Sequence, residues 1–578
     1  MKKLVSRFMA VLMAMTMVLS MSMTVFATEA PKGTLTVNNT VAGKTLDLYQ
    51  IFTATKSGDN VAYTLNSAYE GFFKNNTRIP GSESLTGEAL SEKAIEYVKN
   101  QVGTDGKNGT GFAKEILGWI LENATTVAAT HTTANTTAGS TVINNLAYGY
   151  YVVYPLGATD TSTAPGNETV KSVASLVSVT GTDATVNMKS NYPTVDKKII
   201  PAQSGSGITV GAIVDDTWAG VHHMELDDEN ESEDAIAPHG TTDEKKAGDF
   251  GIGDTVTYQL TSKVPDMTGY TSYVFNFKDT LSAGLTFKEI TSVTVGSGEN
   301  VQNVTAGTGD NTYTLTQDEQ NITIIMNNFL ASNANKAGQE IKVTYTATLN
   351  KDAVTGFDPN TNKATVEYSN KPGTDDKGES EPSKVDVHTF NFTIFKYYLK
   401  GETQTGLAKA EFELYKANGE VAGDKVNIKK VTDGEYRVAT SEEAAAEDFK
   451  SDVIVSGTNG KVLVKGLDAG TYYLRETKAP EGYNKLLSDI TVEIKANYDD
   501  TTGKLTSYSV NYTYNGTTTT GTEIKDTTTS PEVAVENKTG AQLPSTGSKG
   551  ALMVTLAGIV LFGALTASKA FGKKKANN

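Results

Sequence analysis

The feature that most restricts how this chain can fold is a period-two alternation of apolar and polar residues, which returns again and again along its 578 residues. In IKVTYTATL, Ile341, Val343, Tyr345, Ala347 and Leu349 alternate with polar partners. Successive strand side chains point to opposite faces, so this pattern is a strand with one buried face. DTVTYQL and KVLVKGL read the same way. Gly, Asn, Asp and Thr clusters punctuate these runs at turn-like intervals, as in β-sandwiches. Two segments in the first third, SEKAIEYVKNQV and GFAKEILGWILENA, have helical spacing instead. The expected fold class is therefore mainly β, with tandem Ig-like β-sandwich domains and a small helical insertion in the first.

Both ends carry targeting signals. MKKLVSRFMAVLMAMTMVLSMSMTVFATEA has a basic start (Lys2, Lys3, Arg7), an apolar core and small residues at Val25 and Ala27. It reads as a secretory signal peptide over 1–27. Ala551 to Ala567 is free of charge and is followed by Lys569, Lys573, Lys574 and Lys575. Its length is at the lower limit for a membrane span, and the lysines predict a cytoplasmic tail. The region between is expected to be exported. Its net charge of −16 argues against nucleic acid as a partner. No cysteine is present, so no disulfide can staple the exported domains.

Composition shifts divide the chain. SNYPTVDKK (190–198) places a proline between strands, and YSNKPGTDDKGESEPSKVD (368–386) reads as a polar linker. The expected domains are 28–190, 191–385 and 386–538, with a tail over 539–578. The acidic run near 226–234 reads as a solvated loop without the ligand spacing of a calcium site. His222 and His223 fit no zinc motif, and neither a metal nor a cofactor is expected.

Polar residues interrupt the apolar faces at matching places. In the third domain Lys396 follows Phe390, Phe392 and Ile394 on one face, Glu476 follows Tyr472 and Leu474, and Asn537 follows Val533 and Val535. In the second, Lys197 lies between Val195 and Ile199, Asp279 follows Phe275 and Phe277, and Asn362 precedes Ala364 and Val366. Lysine stems can run along apolar surface to water, which explains any one such residue. Six in two domains are better explained by chemistry, because isolated buried charges are costly. Burial lowers a lysine pKa toward the neutral amine and raises that of a carboxylic acid. A neutral Lys beside a protonated acid can attack an Asn carboxamide and release ammonia, leaving an intramolecular isopeptide bond. Lys197 with Asn362, promoted by Asp279, and Lys396 with Asn537, promoted by Glu476, are the expected cross-links. For the first domain Lys44 and Asn191 are conceivable partners, but no acid accompanies them.

At this point the residues resemble a known family. LPSTG (Leu543, Pro544, Ser545, Thr546, Gly547), followed by an apolar run and a basic tail, resembles the LPXTG cell-wall sorting signal of Gram-positive bacteria. YYLRETKAPEGYN resembles the E-box of sortase-assembled pilins and Cna-B-type domains, with Glu476 as its glutamate. VNMKSNYPTVDKKI resembles a pilin motif leading into a middle domain. That motif commonly reads Tyr-Pro-Lys-Asn, whereas here Asn187-Met188-Lys189-Ser190 is followed by Asn191. Strand alternation turns Lys189 outward, as an intermolecular nucleophile requires, and Lys198 is a second outward lysine. The resemblance is to the major subunit of such pili, with Cna-A/Cna-B-like domains.

It implies a structural protein rather than an enzyme. A pilin sortase would cut between Thr546 and Gly547 and pass the threonyl group to Lys189 of another copy. A housekeeping sortase would then attach the fibre to peptidoglycan, with minor tip or basal pilins as further partners in adhesion. The alternative is a wall-anchored adhesin or stalk that never polymerises. A surface hydrolase is disfavoured by the absence of GxSxG or a metal motif.

Overall fold

The computed structural model describes residues 31–103, 109–159, 173–188, 192–200, 247–296, 298–499 and 504–539. The signal peptide, Lys189, the His222–His223 pair, the acidic run and the LPSTG segment with its apolar run lie outside these residues. Among the described residues no helix is long and apolar enough to cross a membrane.

The chain forms three successive β-rich units. In the first, one sheet joins Gly139–Ala147, Lys32–Thr40 and Ala184–Asn187. The second sheet joins Asn60–Leu65, Leu46–Ser57, Gly149–Pro155 and Ser175–Val179, with His131–Thr133 beside Leu46–Ser57. Leu35, Val37, Leu48, Ile143 and Val153 fill the space between them. The helices Gly87–Val102 and Gly109–Glu122 cover the other face of the second sheet, packing Leu90, Ala94, Phe112, Ile116 and Ile120 against Ile51, Phe52 and Val152. Covered on both sides, Leu46–Ser57 is buried continuously from Leu46 to Phe52, including the polar Asp47 and Gln50. Both segments with helical spacing are thus helices of one added layer.

In the second unit a five-stranded sheet runs Gln302–Asn303, Leu285–Val295, Glu340–Leu349, Thr255–Lys263, Asp196–Ile200. The facing sheet centres on Ser383–His388, Asn360–Ser369, Phe275–Leu281, Asn321–Met326 and Thr312–Asp318. In the third unit Phe390–Lys400 sits between Lys461–Leu467 and, in parallel, Glu532–Glu536. The facing sheet runs Val421–Lys425, Glu411–Asn418, Gly470–Lys478, Ile490–Tyr498, Leu505–Tyr514 and Thr517–Thr519.

The stretch read as a linker over 368–386 is structured instead. It contains Lys377–Glu379 and most of Ser383–His388, both paired with Asn360–Ser369. Its polar composition concealed the start of a short alternation, in which Ser383, Val385 and, just beyond the stretch, Val387 are at most 1% exposed. The second and third units consequently meet at Thr389, itself buried between His388 and Phe390. Contacts seal this junction: Asp249 accepts hydrogen bonds from the Ala469 N–H (3.0 Å) and the Tyr498 hydroxyl (3.1 Å). Ser441 donates to the Gly253 carbonyl at 2.5 Å.

Candidate functional site: two buried lysine–acid–asparagine clusters

In the second unit Lys197 projects inward from the edge strand Asp196–Ile200, while Asp279 and Asn362 come from the opposite sheet. The strands carrying the last two are hydrogen-bonded neighbours, with Leu281 opposite Asn362 and Asp279 opposite Ala364. Lys197 and Asn362 have no exposed surface and Asp279 has 2%. The Lys197 Nζ forms an ion pair with Asp279 Oδ2. It also donates to the Tyr345 hydroxyl at 2.5 Å. That hydroxyl donates to Asp279 Oδ2 at 2.8 Å and accepts from Asn362 Nδ2 at 2.8 Å. The rings of Tyr258 and Tyr345 stack at 5.2 Å and flank the amine at 5.1 and 5.0 Å. Burial raises the Asp279 pKa, against the opposing pull of Lys197 and Tyr345. Asn362 Oδ1 is buried without a hydrogen-bond partner.

The third unit distributes the same three residue types differently. Lys396 and Asn537 share one sheet: Lys396 is opposite Val535 in the parallel pairing, and the Asn537 N–H donates to the Tyr397 carbonyl at 2.8 Å. Glu476 faces them from the other sheet, with its Oε1 3.0 Å from Lys396 Nζ. Its Oε2 accepts the Leu486 N–H at 2.7 Å. Burial pushes the Lys396 amine down to about 8, against the charge of Glu476. Asn537 is 2% exposed, and neither of its side-chain polar atoms has a hydrogen-bond partner. Leaving such groups unsatisfied costs about 1–3 kcal/mol each.

Leu486 reaches Glu476 through the turn that follows the E-box-like stretch. Tyr483 N–H closes this turn on the Pro480 carbonyl at 3.1 Å, and Gly482 has a φ of +86°, a left-handed value that favours glycine. Asn484 N–H then binds the Lys538 carbonyl at 2.9 Å, beside Asn537.

In the second unit Lys197 and Asn362 lie on strands of opposite sheets and face each other across the sandwich. One expectation changes. Lys198, expected to be exposed, has a side chain only 4% exposed, 2.6 Å from Asp196. Alternation gave its face correctly but not what covers that face. Lys44 lies where the first and second units meet, its Nζ 3.2 Å from the Tyr368 hydroxyl and 4.8 Å from the Tyr192 ring centroid. Sequence reasoning missed Tyr345, Tyr258 and the Leu486 N–H as members of these clusters. The inward position of Tyr345 was legible, but its contacts depend on the facing sheet.

Comparison with known proteins places these clusters in context. Residues 252–372 match the model for Gram-positive pilin backbone subunit 2, Cna-B-like domain, and residues 395–509 match the SpaA prealbumin-like fold domain. Two of its three units thus match family models, one for a domain of Gram-positive pilin backbone subunits and one for a prealbumin-like domain. It is 26% identical over 297 residues to the trypsin-resistant surface T6 protein of Streptococcus pyogenes serotype M6, covering 48% of each chain. The chain therefore spans about half the length of this curated relative. Among solved structures, it is similar to the T6 backbone pilin of serotype M6 Streptococcus pyogenes, with 17% identity, 89% of this chain and 100% of that one covered, and a TM-score of 0.44. The group B streptococcus pilus 2b backbone protein is 27% identical, with 52% and 98% covered and a TM-score of 0.36.

Proposed function

We propose that this chain is the polymerising backbone subunit of a covalent surface pilus. A pilin sortase, which supplies the cysteine absent here, acts at Leu543-Pro544-Ser545-Thr546-Gly547 and cuts after Thr546. Lys189 of another copy accepts the threonyl group, joining subunits head to tail. A housekeeping sortase attaches the finished fibre to peptidoglycan. Within each subunit, Lys197 joins Asn362 with Asp279 as promoter, and Lys396 joins Asn537 with Glu476 as promoter. Each reaction converts an amine and a carboxamide to an amide plus ammonia.

The observation that carries this reading is the pair of fully buried Lys–acid ion pairs, each with a buried Asn beside it, in units that match a pilin-backbone domain model and a prealbumin-like domain model. Such cross-links would resist pulling in a protein without cysteine. An immunoblot of wall extract tests polymerisation: a ladder of covalent multimers is expected. A single anchored species would favour the adhesin or stalk reading. Intact mass of the exported region tests the cross-links, with a deficit of two ammonia molecules expected.

A further inference from the structure

The Tyr345 hydroxyl touches all three members of the second-unit cluster. It accepts from the nucleophile nitrogen of Lys197 at 2.5 Å and from Nδ2 of Asn362 at 2.8 Å, and donates to Asp279 at 2.8 Å. Nδ2 is the atom that must depart as ammonia. The Tyr345 hydroxyl therefore sits between the nitrogen that must lose a proton and the nitrogen that must gain one. We propose that Tyr345 is a catalytic residue of the Lys197–Asn362 reaction and passes the proton between these nitrogens; this rests on the cross-link reading above.

Proton transfer within the Lys197–Asp279 pair gives a neutral amine and a protonated acid. The amine attacks Asn362 Cγ, and Nζ becomes positively charged as the carbonyl oxygen becomes negative. Tyr345 gives its proton to Nδ2 while its oxygen takes one from Nζ. The carbonyl re-forms, the Cγ–Nδ2 bond breaks and ammonia leaves. Tyr345 ends as it began, and Asp279 keeps the proton that it took from Lys197 or hands it to the departing ammonia as ammonium. Without protonation the amide nitrogen is a very poor leaving group, so the transfer decides the rate.

The surroundings suit this role. Tyr345 is fully buried, and burial beside Asp279 holds its pKa well above the usual phenol value, so it remains a proton-carrying hydroxyl. Its ring is fixed by stacking on Tyr258 and by Phe287 at 5.9 Å. The third unit is built without this device: the ring near Lys396 is Phe412, which has no hydroxyl, and the acid is held by a peptide N–H. The two clusters thus provide a control within one molecule.

The test is Tyr345→Phe in the region 28–546, produced without sortase and followed by intact mass and peptide mapping over time. The third unit should lose its ammonia at the wild-type rate, while the second should slow by roughly 100-fold or more. Tyr273→Phe, which removes a hydroxyl from the same core at a ring packed on Tyr270 and Phe329 rather than on the cluster, should leave both rates unchanged. If Tyr345→Phe fails to fold, a fluorinated tyrosine at 345 keeps the hydrogen bonds and lowers the hydroxyl pKa. It should then move the pH profile of the second-unit rate. Linkage at the wild-type rate in Tyr345→Phe, or an unmoved profile with the fluorinated residue, overturns the relay. A wild-type chain that loses no ammonia overturns the cross-link reading itself.

Discussion

Glu476→Gln isolates the contribution of the third-unit cross-link. The substitution keeps the side-chain volume but removes the acid 3.0 Å from Lys396 Nζ. The amide cannot carry the proton, so the link should not form and the mass deficit should fall by one ammonia. The segment from Lys396 to Asn537 encloses about 140 residues, for which the chain-entropy relation for disulfides gives about 5 kcal/mol of lost stabilisation. A unit of this size gains roughly 0.3 kcal/mol/K of entropy on unfolding, so its melting temperature should drop by about 15 °C. Residual cost from the unpaired Lys396 adds to this fall rather than offsetting it. Calorimetry of the exported region should show one transition moved by that amount. The second unit's own loss of ammonia should be unchanged, because its cluster shares no contact with that of the third unit. A full two-ammonia deficit in this variant, or a shift of only a degree or two, would refute the reasoning.

Lys396 also sets a pH window. Its pKa is lowered from 10.5 to about 8 in the folded state, so folding releases a proton between these values. In the unlinked variant Asn537→Ala, stability should be flat below about pH 8 and rise with pH above it. The expected gain is about 2 kcal/mol between pH 8 and 9.5, measured by urea titration; the linked wild type should show no such rise. Lys189→Ala should abolish the multimer ladder while leaving the monomer folded. Lys198→Ala should leave the ladder intact, since that side chain is buried against Asp196. A ladder lost only with Lys198→Ala would reverse this assignment. Thr546→Ala should leave the protein in the membrane fraction without multimers, and normal wall attachment would sink the sorting assignment.

Much of the strand geometry was legible because alternation is a one-dimensional signal. Phe390, Phe392, Ile394 and Lys396 are all fully buried, on the face that spacing assigned to them. So are Ala364, Val366 and Tyr368 beyond Asn362, to within 1% exposure. The helical insertion was legible for the same reason, with a different period. The 368–386 stretch was not, because one buried valine, Val385, among charged and glycine residues gives too short a pattern to stand out from a loop.

The sequence alone determined which side chains turn inward, and so that a lysine, an acid and an asparagine had to be accommodated in each of two cores. Only the tertiary structure decided how they meet. The lysine shares a sheet with its asparagine in the third unit and faces it across the sandwich in the second. It also supplied Tyr345 from a strand more than sixty residues from Asp279, the Leu486 N–H from a turn, and the cover over Lys198. Alternation reports the direction of a side chain relative to its own strand. The identity of the atoms opposite depends on sheet order and register, which are set by contacts far apart in the chain.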